Sequence, residues 1–257
     1  MQGTQLIINV FFTTTVNSAI AVANAVNQLI QMFANNISKS IAPQIYKSHA
    51  TGDEDRYTYL VCLSSRLTYL VMLMVSLPFL LIPETLFGLW LKEIPEGTLL
   101  FSRLMIIDIL IVSLNSGIVD VIFASGRIYL YQIVVNILVA ASVILGFLCV
   151  RAGFGGESLF YCYIIFSVII FFTRPVIMLR VVKFHIPTLI KESYLPVFYV
   201  TLLTAPVYLL RHHINAWLLV FIAMLWYLTV VWILGLNATE KKTIIKYAYG
   251  RIRKKDI

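Results

Sequence analysis

Charge is what this sequence has least of. Only 12% of its residues are Asp, Glu, Lys or Arg, while 60% are hydrophobic. A soluble domain carries about 25% charged and roughly 45–50% apolar residues. One water-soluble core cannot bury so much oil, whereas lipid tails solvate it without cost. Cysteine is also sparse. Cys62, Cys149 and Cys162 are too few for a disulfide framework. They read as buried free thiols, with a Cys149–Cys162 bridge across one short loop as the alternative. Catalytic signatures are missing: there is no P-loop, no Gly-x-Ser-x-Gly, no His-Glu-x-x-His and no pair of carboxylates outside the apolar runs. His212 and His213 have no third ligand in register, so no metal site is expected. Met1–Asn9 has no basic region and no cleavage site behind it, so no signal peptide is expected. No soluble domain interrupts the chain. The longest outer connection, Pro83–Thr98, is too short to hold an acceptor for a membrane glycosyltransferase or polymerase. The sequence therefore points away from an enzyme and from any cofactor.

What is there is a series of apolar runs. A helix needs about 20 residues to cross the hydrocarbon layer. Runs of that length lie near Val16–Ala42, Tyr57–Ile82, Leu99–Phe123, Ile128–Val150, Ser158–Val181, Leu195–Leu210 and Ala216–Leu236. Leu6–Phe12 is apolar but too short to cross. Breakers fall between the runs: Pro43 and Gly52, Pro83 and Pro95, Gly126, Gly153 and Gly155, and Pro187. The reading is an all-α, polytopic membrane helix bundle of about seven transmembrane helices plus a partial one. The bilayer itself is then the first partner.

The net charge of +8 belongs to topology and not to nucleic acid, because no aromatic and basic residues interleave. Lys92, Arg103, Arg151 and Arg211 fall on one side of the runs, and the other sixteen of the 20 Lys and Arg fall on the opposite side. The positive-inside rule makes that second side, with the basic tail after Leu236, cytoplasmic.

Five amides stand out in the first run. Asn17, Asn24, Gln28, Gln31 and Asn35 recur at spacings of 7, 4, 3 and 4. At about 100° per residue they fall within roughly 60° of one another. Facing lipid, each would lose its hydrogen bonds to water, so this ribbon faces other helices or a water-filled path. Ala19, Ala21, Ala23 and Ala25 permit close helix approach. Asp108 and Asn115 share a face of the third run, and a carboxylate that deep marks either an ion-coupling group or a structural pair with Arg103 or a neighbouring helix. Asp120 is expected to pair with Arg127. Arg66 either snorkels to the surface or faces a cavity and attracts an anionic head group. Arg174 and Pro175 read as a snorkelling anchor and a kink.

The stretch AVANAVNQLIQMFANNISKSIAPQIYKSHATGDED (Ala21–Asp55) resembles the C-terminal half of polysaccharide flippases in the multidrug/oligosaccharidyl-lipid/polysaccharide exporter superfamily. SLPFLLIPETLFGLWLKEIPEGT (Ser76–Thr98), FASGRIYLYQIVVN (Phe123–Asn136) and GLNATEKK (Gly235–Lys242) add to the likeness. The resemblance is to O-antigen-type transporters with a MATE-like fold, and it implies a set of expectations. Residues 1–182 would be the C-terminal transporter lobe, with a partial first helix at 1–12 and then five spans. Residues 183–236 would be two terminal transmembrane helices, and 237–257 a basic cytoplasmic tail. The cargo would be an undecaprenyl-type lipid-linked oligosaccharide, flipped across a bacterial inner membrane. Asn17, Asn24, Gln28, Gln31, Asn35, Arg66, Asp108 and Asn115 would line the path, Arg66 favouring the pyrophosphate and Asp108 coupling to an ion. Such transporters have two lobes, so a chain matching one lobe would not transport alone. A small-solute or multidrug exporter of the same fold, or a non-transporting membrane subunit, are the alternatives.

Overall fold

In the computed structural model, residues 14–212 and 214–252 are described. The short apolar segment Leu6–Phe12, the partial helix expected at 1–12 and His213 lie outside them. Every described element is helical. We label them α1 (Thr14–Ala50), α2 (Glu54–Leu81), α3 (Pro83–Gly88), α4 (Thr98–Ser113), α5 (Ser116–Ala124), α6 (Tyr129–Arg151), α7 (Glu157–Val181), α8 (Ile186–Arg211), α9 (Ala216–Gly235) and α10 (Ala238–Ile252).

Among the described residues, five helices are long and apolar enough to cross a membrane: α2, α6, α7, α8 and α9. A sixth span results if α4 and α5, bent by 45° at their junction, count as one. The surface agrees with a lipid environment. Ile137, Ile144, Phe172, Phe221 and Ile233 are each at least 60% exposed on α6, α7 and α9, an apolar exterior that water would not tolerate over so many helices. The helix α1 is long enough, at 37 residues, but too polar to count with the five.

The order of burial fixes the architecture. In α2, 72% of the spanning window is buried, against 17% in α6. Thus α2 is the central helix, touched by α1, α4, α5, α8 and α9, while α6 packs mainly on α7 at the edge. The connections gather at two ends. Glu54, Lys183 and Asn237 border one cavity, and Thr15, Gly97 and Gly156 border another, so successive helices run in opposite directions. Cys62, Cys149 and Cys162 are all free thiols.

Local chemistry explains most boundaries. Gly52 adopts φ 72°, a left-handed turn that ends α1, with Asp53 N–H returning to the Ser48 carbonyl. Asp53 then caps α2 by accepting from Arg56 N–H at 3.1 Å. Three expectations are corrected. Pro43 does not end a helix; α1 continues to Ala50, because Pro43 is exposed and the carbonyl it leaves unpaired is at a polar flank. Pro187 opens α8 and does not break it, since its missing N–H costs nothing in a first turn. The run Leu99–Phe123 is not continuous: it breaks at Leu114–Asn115 without a proline.

That break brings α5 hard against α2. Ser116 Oγ donates to the Ser64 carbonyl and Gly117 N–H to Ser65 Oγ. A Cβ on Gly117 would lie 2.2 Å from the Val61 carbonyl oxygen, so only glycine permits this approach. Gly117→Ala is therefore expected to cost about 1–3 kcal/mol, read as a drop in thermal unfolding temperature in detergent. Gly88→Ala, at a helical glycine with nothing within 4 Å, should leave it unchanged.

Candidate functional site

The amide ribbon of α1 does not turn inward. Asn17 and Asn24 are half-buried, and Gln28, Gln31 and Asn35 are exposed. The opposite face of α1 supplies Ala19, Ala23, Val26, Ile30 and Ala34 to the core. Ala19 and Ala23 are fully buried at contacts, while Ala21 and Ala25 are exposed. Its lower half, Gln28, Gln31 and Asn35, is therefore an outer edge of this bundle.

Part of that edge opens into a cavity of about 220 Å³ whose wall mixes polar groups with Met72, Ile109, Val112, Val119 and Tyr131. From α1 it takes Gln31, Asn35 and Ser38, which share one face at spacings of four and three. Thr68 comes from α2, Asp120 from α5 and Arg174 from α7. Ser38 Oγ donates to both oxygens of Asp120, at 3.2 and 3.3 Å. Arg127 is exposed and forms no ion pair with Asp120, which corrects that expectation. Arg174 does not snorkel either. It is 8% exposed and its Nη1 donates at 3.2 Å to the Val112 carbonyl. The cause is the break at Asn115: the Val112 carbonyl loses its regular helical partner, takes the Asn115 N–H at 3.3 Å instead, and has room for the guanidinium as a second donor. The Arg174 Nε–H and the Thr68 hydroxyl, buried at the cavity wall, have no partner. The cavity thus offers a carboxylate, spare donors and two amides.

Arg66 belongs to a different cavity. Residues 66 and 68 are two apart, about 200° around the helix, so Arg66 and Thr68 lie on opposite sides of α2. The Arg66 cavity has a volume of about 650 Å³ and is walled by Glu54, Tyr59, Lys183, His185 and Glu192 among others. Arg66 is 1% exposed. Its Nη1 donates to the Glu192 carbonyl in a π-helical turn, Ile190–Tyr194, and its Nη2 is ion-paired with Glu240 of α10. Glu240 also accepts from Asn237 N–H at 2.8 Å, one arm of a capping box at the start of α10, while Asn237 Nδ2 donates to the Glu192 carboxylate at 2.6 Å. Arg66 therefore neither snorkels nor stands free for an anionic head group, because the tail supplies its counter-charge.

Two expected path residues are structural. Asn115 is fully buried at the α4–α5 break, donating to the Phe171 carbonyl at 2.9 Å and accepting from Tyr194 Oη at 2.5 Å. Asp108 is half-buried and accepts from Ser167 Oγ of α7 at 2.5 Å, while Arg103 lies 3.9 Å from Glu84. Neither lines either cavity. Sequence reasoning missed Ser38, Thr68, Arg174 and Glu240. Only Glu240 had a local signal, the Asn-Ala-Thr-Glu capping pattern. Comparison with protein-family models, with curated proteins and with solved structures found no match.

The Arg66–Glu240 pair makes a specific forecast. Arg66→Met leaves a buried carboxylate alone and should cost about 3–5 kcal/mol, whereas Arg66→Met with Glu240→Met should recover most of it. Denaturant unfolding of the three proteins in detergent measures both. Asn115→Leu strands a buried carbonyl and a tyrosine hydroxyl, and should cost about 1–3 kcal/mol in the same assay.

Proposed function

We propose that this chain is a transporter lobe of the polysaccharide-flippase kind, which moves a lipid-linked oligosaccharide through a path bordered by the α1 amides. The observation that carries this reading is the continuity of the exposed Gln28, Gln31 and Asn35 with the cavity that holds Ser38, Asp120 and Arg174 behind them. An edge of amides leading to a carboxylate, a guanidinium and a free hydroxyl matches a cargo rich in sugar hydroxyls, which both donate and accept. Transport makes and breaks no covalent bond, in keeping with a sequence that has no catalytic motif.

In this reading α1 is a seventh span, kept from lipid on its amide side by water or by a second lobe. The last two spans, α8 and α9, are additions flanking α2, and the membrane is a bacterial inner membrane with α10 on the cytoplasmic side. The path runs along Asn17, Asn24, Gln28, Gln31 and Asn35 and takes in Asp120 and Arg174. Arg66, on the far side of α2, is outside it. A cavity of about 220 Å³ also suits a compact solute, which keeps a small-solute exporter of the same fold as the second reading.

Gln31→Leu with Asn35→Leu, in a two-lobed version of the transporter, is expected to abolish surface glycan while protein level stays normal. Normal glycan at normal protein level would contradict the lining role. Accumulation of a small dye in place of a glycan defect would select the second reading.

A further inference from the structure

The helix α10 is short, basic and attached at one point. From Lys241 to Lys255 the sequence has seven Lys and Arg and no Asp or Glu. Its first turn is docked: Glu240 is buried against Arg66, and Lys241 Nζ donates at 3.0 Å to the Ile233 carbonyl at the end of α9. Beyond that turn, residues 242–246 are exposed. Ile244 and Ile245 are 45% and 44% exposed, with Lys242 and Lys246 exposed beside them. On a helical wheel the two isoleucines sit roughly 40–140° from Glu240, with Lys241 between them and tied back to the Ile233 carbonyl, while Lys242 and Lys246 lie at roughly 200–240°. The isoleucines extend an apolar surface already presented by Trp232, Ile233 and Leu234 at the end of α9. An indole at the end of an apolar helix, followed by an amphipathic basic helix, is the pattern of a segment lying at a membrane–water boundary.

We propose that α10 is an interfacial arm that lies on an anionic phospholipid leaflet, inserting Ile244 and Ile245 at the head-group boundary and holding acidic head groups with Lys242 and Lys246. The charge is complementary, since beyond the docked Glu240 the arm carries one sign only and is drawn to a negative surface. The Arg66–Glu240 pair is the fulcrum. A guanidinium this buried cannot be left without its carboxylate, so the first turn stays docked while the rest of the helix settles on the lipid or lifts from it. The inference does not rest on the transport reading, because any helical membrane protein with this tail would show it.

Hydrogen–deuterium exchange of the full chain in nanodiscs tests it. One set holds phosphatidylcholine alone, the other equal parts of phosphatidylcholine and phosphatidylglycerol. Residues 242–252 should exchange more slowly in the anionic discs, residues 238–240 equally in both. Lys242→Gln with Lys246→Gln should lose protection by about fivefold per lysine removed, and high salt should have the same effect. Ile244→Ser with Ile245→Ser should lose it in both lipids. Equal exchange of 242–252 in the two compositions, or protection that survives loss of both lysines, would overturn the proposal and point to a protein partner for this face.

Discussion

Polar groups inside an apolar bundle have to be answered by other polar groups, and this constraint organises the whole chain. The clearest case is Arg66, a guanidinium 1% exposed in the most buried helix. Its partner Glu240 lies 174 residues away in sequence, so the end of the chain must return to the middle of α2 for the fold to close. Around that pair, Asn237 ties α10 to Glu192, and Tyr59 Oη donates to the Glu240 carboxylate at 3.4 Å. Taking two charges out of water gains little by itself, but removing one partner is costly. The pair therefore acts as a requirement on where α8 and α10 sit more than as a source of stability.

The same constraint separates the polar residues of the bundle into two groups. Asn115 and Asp108 are answered internally, by a carbonyl and a tyrosine in one case and a serine in the other. Arg174 is answered by the broken end of α4. The amides at Gln28, Gln31 and Asn35 are on a surface that none of the described helices covers. In hydrocarbon each would cost several kcal/mol. Water, a second protein surface or a polar cargo has to meet them if α1 lies in the bilayer, and that necessity is the ground on which α1 is proposed as the transport edge.

Much of the fold was legible because lipid imposes a simple rule on composition: apolar runs of the right length became α2, α6, α7 and α9 nearly as read. That the five amides share a face was legible too, since the spacing from Asn17 to Asn35 determines it whatever packs there; that the face is an outer edge of these helices was not. What could not be read were the meetings of residues far apart. Nothing local tells that Arg174 turns inward, because the carbonyl it finds exists only where α4 breaks. The break itself has a weak signal, Asn115-Ser116-Gly117, three poor helix formers in a row. The close approach to α2 that Gly117 allows then holds α5 in its bent course. Asn115 looked like a path residue because burial and lining both favour polar residues in a span, and only the partners distinguish them. Likewise Arg66 and Thr68 are neighbours in sequence yet open onto different cavities.

The central claim is that the α1 amides meet a polar environment within the membrane. Nitroxide labels at positions 28 and 31, in a cysteine-free background reconstituted in bilayers, test it most directly. Position 137, 61% exposed on α6, provides the lipid-facing reference. Relaxation by a water-soluble nickel complex should dominate at 28 and 31, and relaxation by dissolved oxygen at 137. Oxygen-dominated relaxation at all three positions would place the amides in lipid and contradict the account.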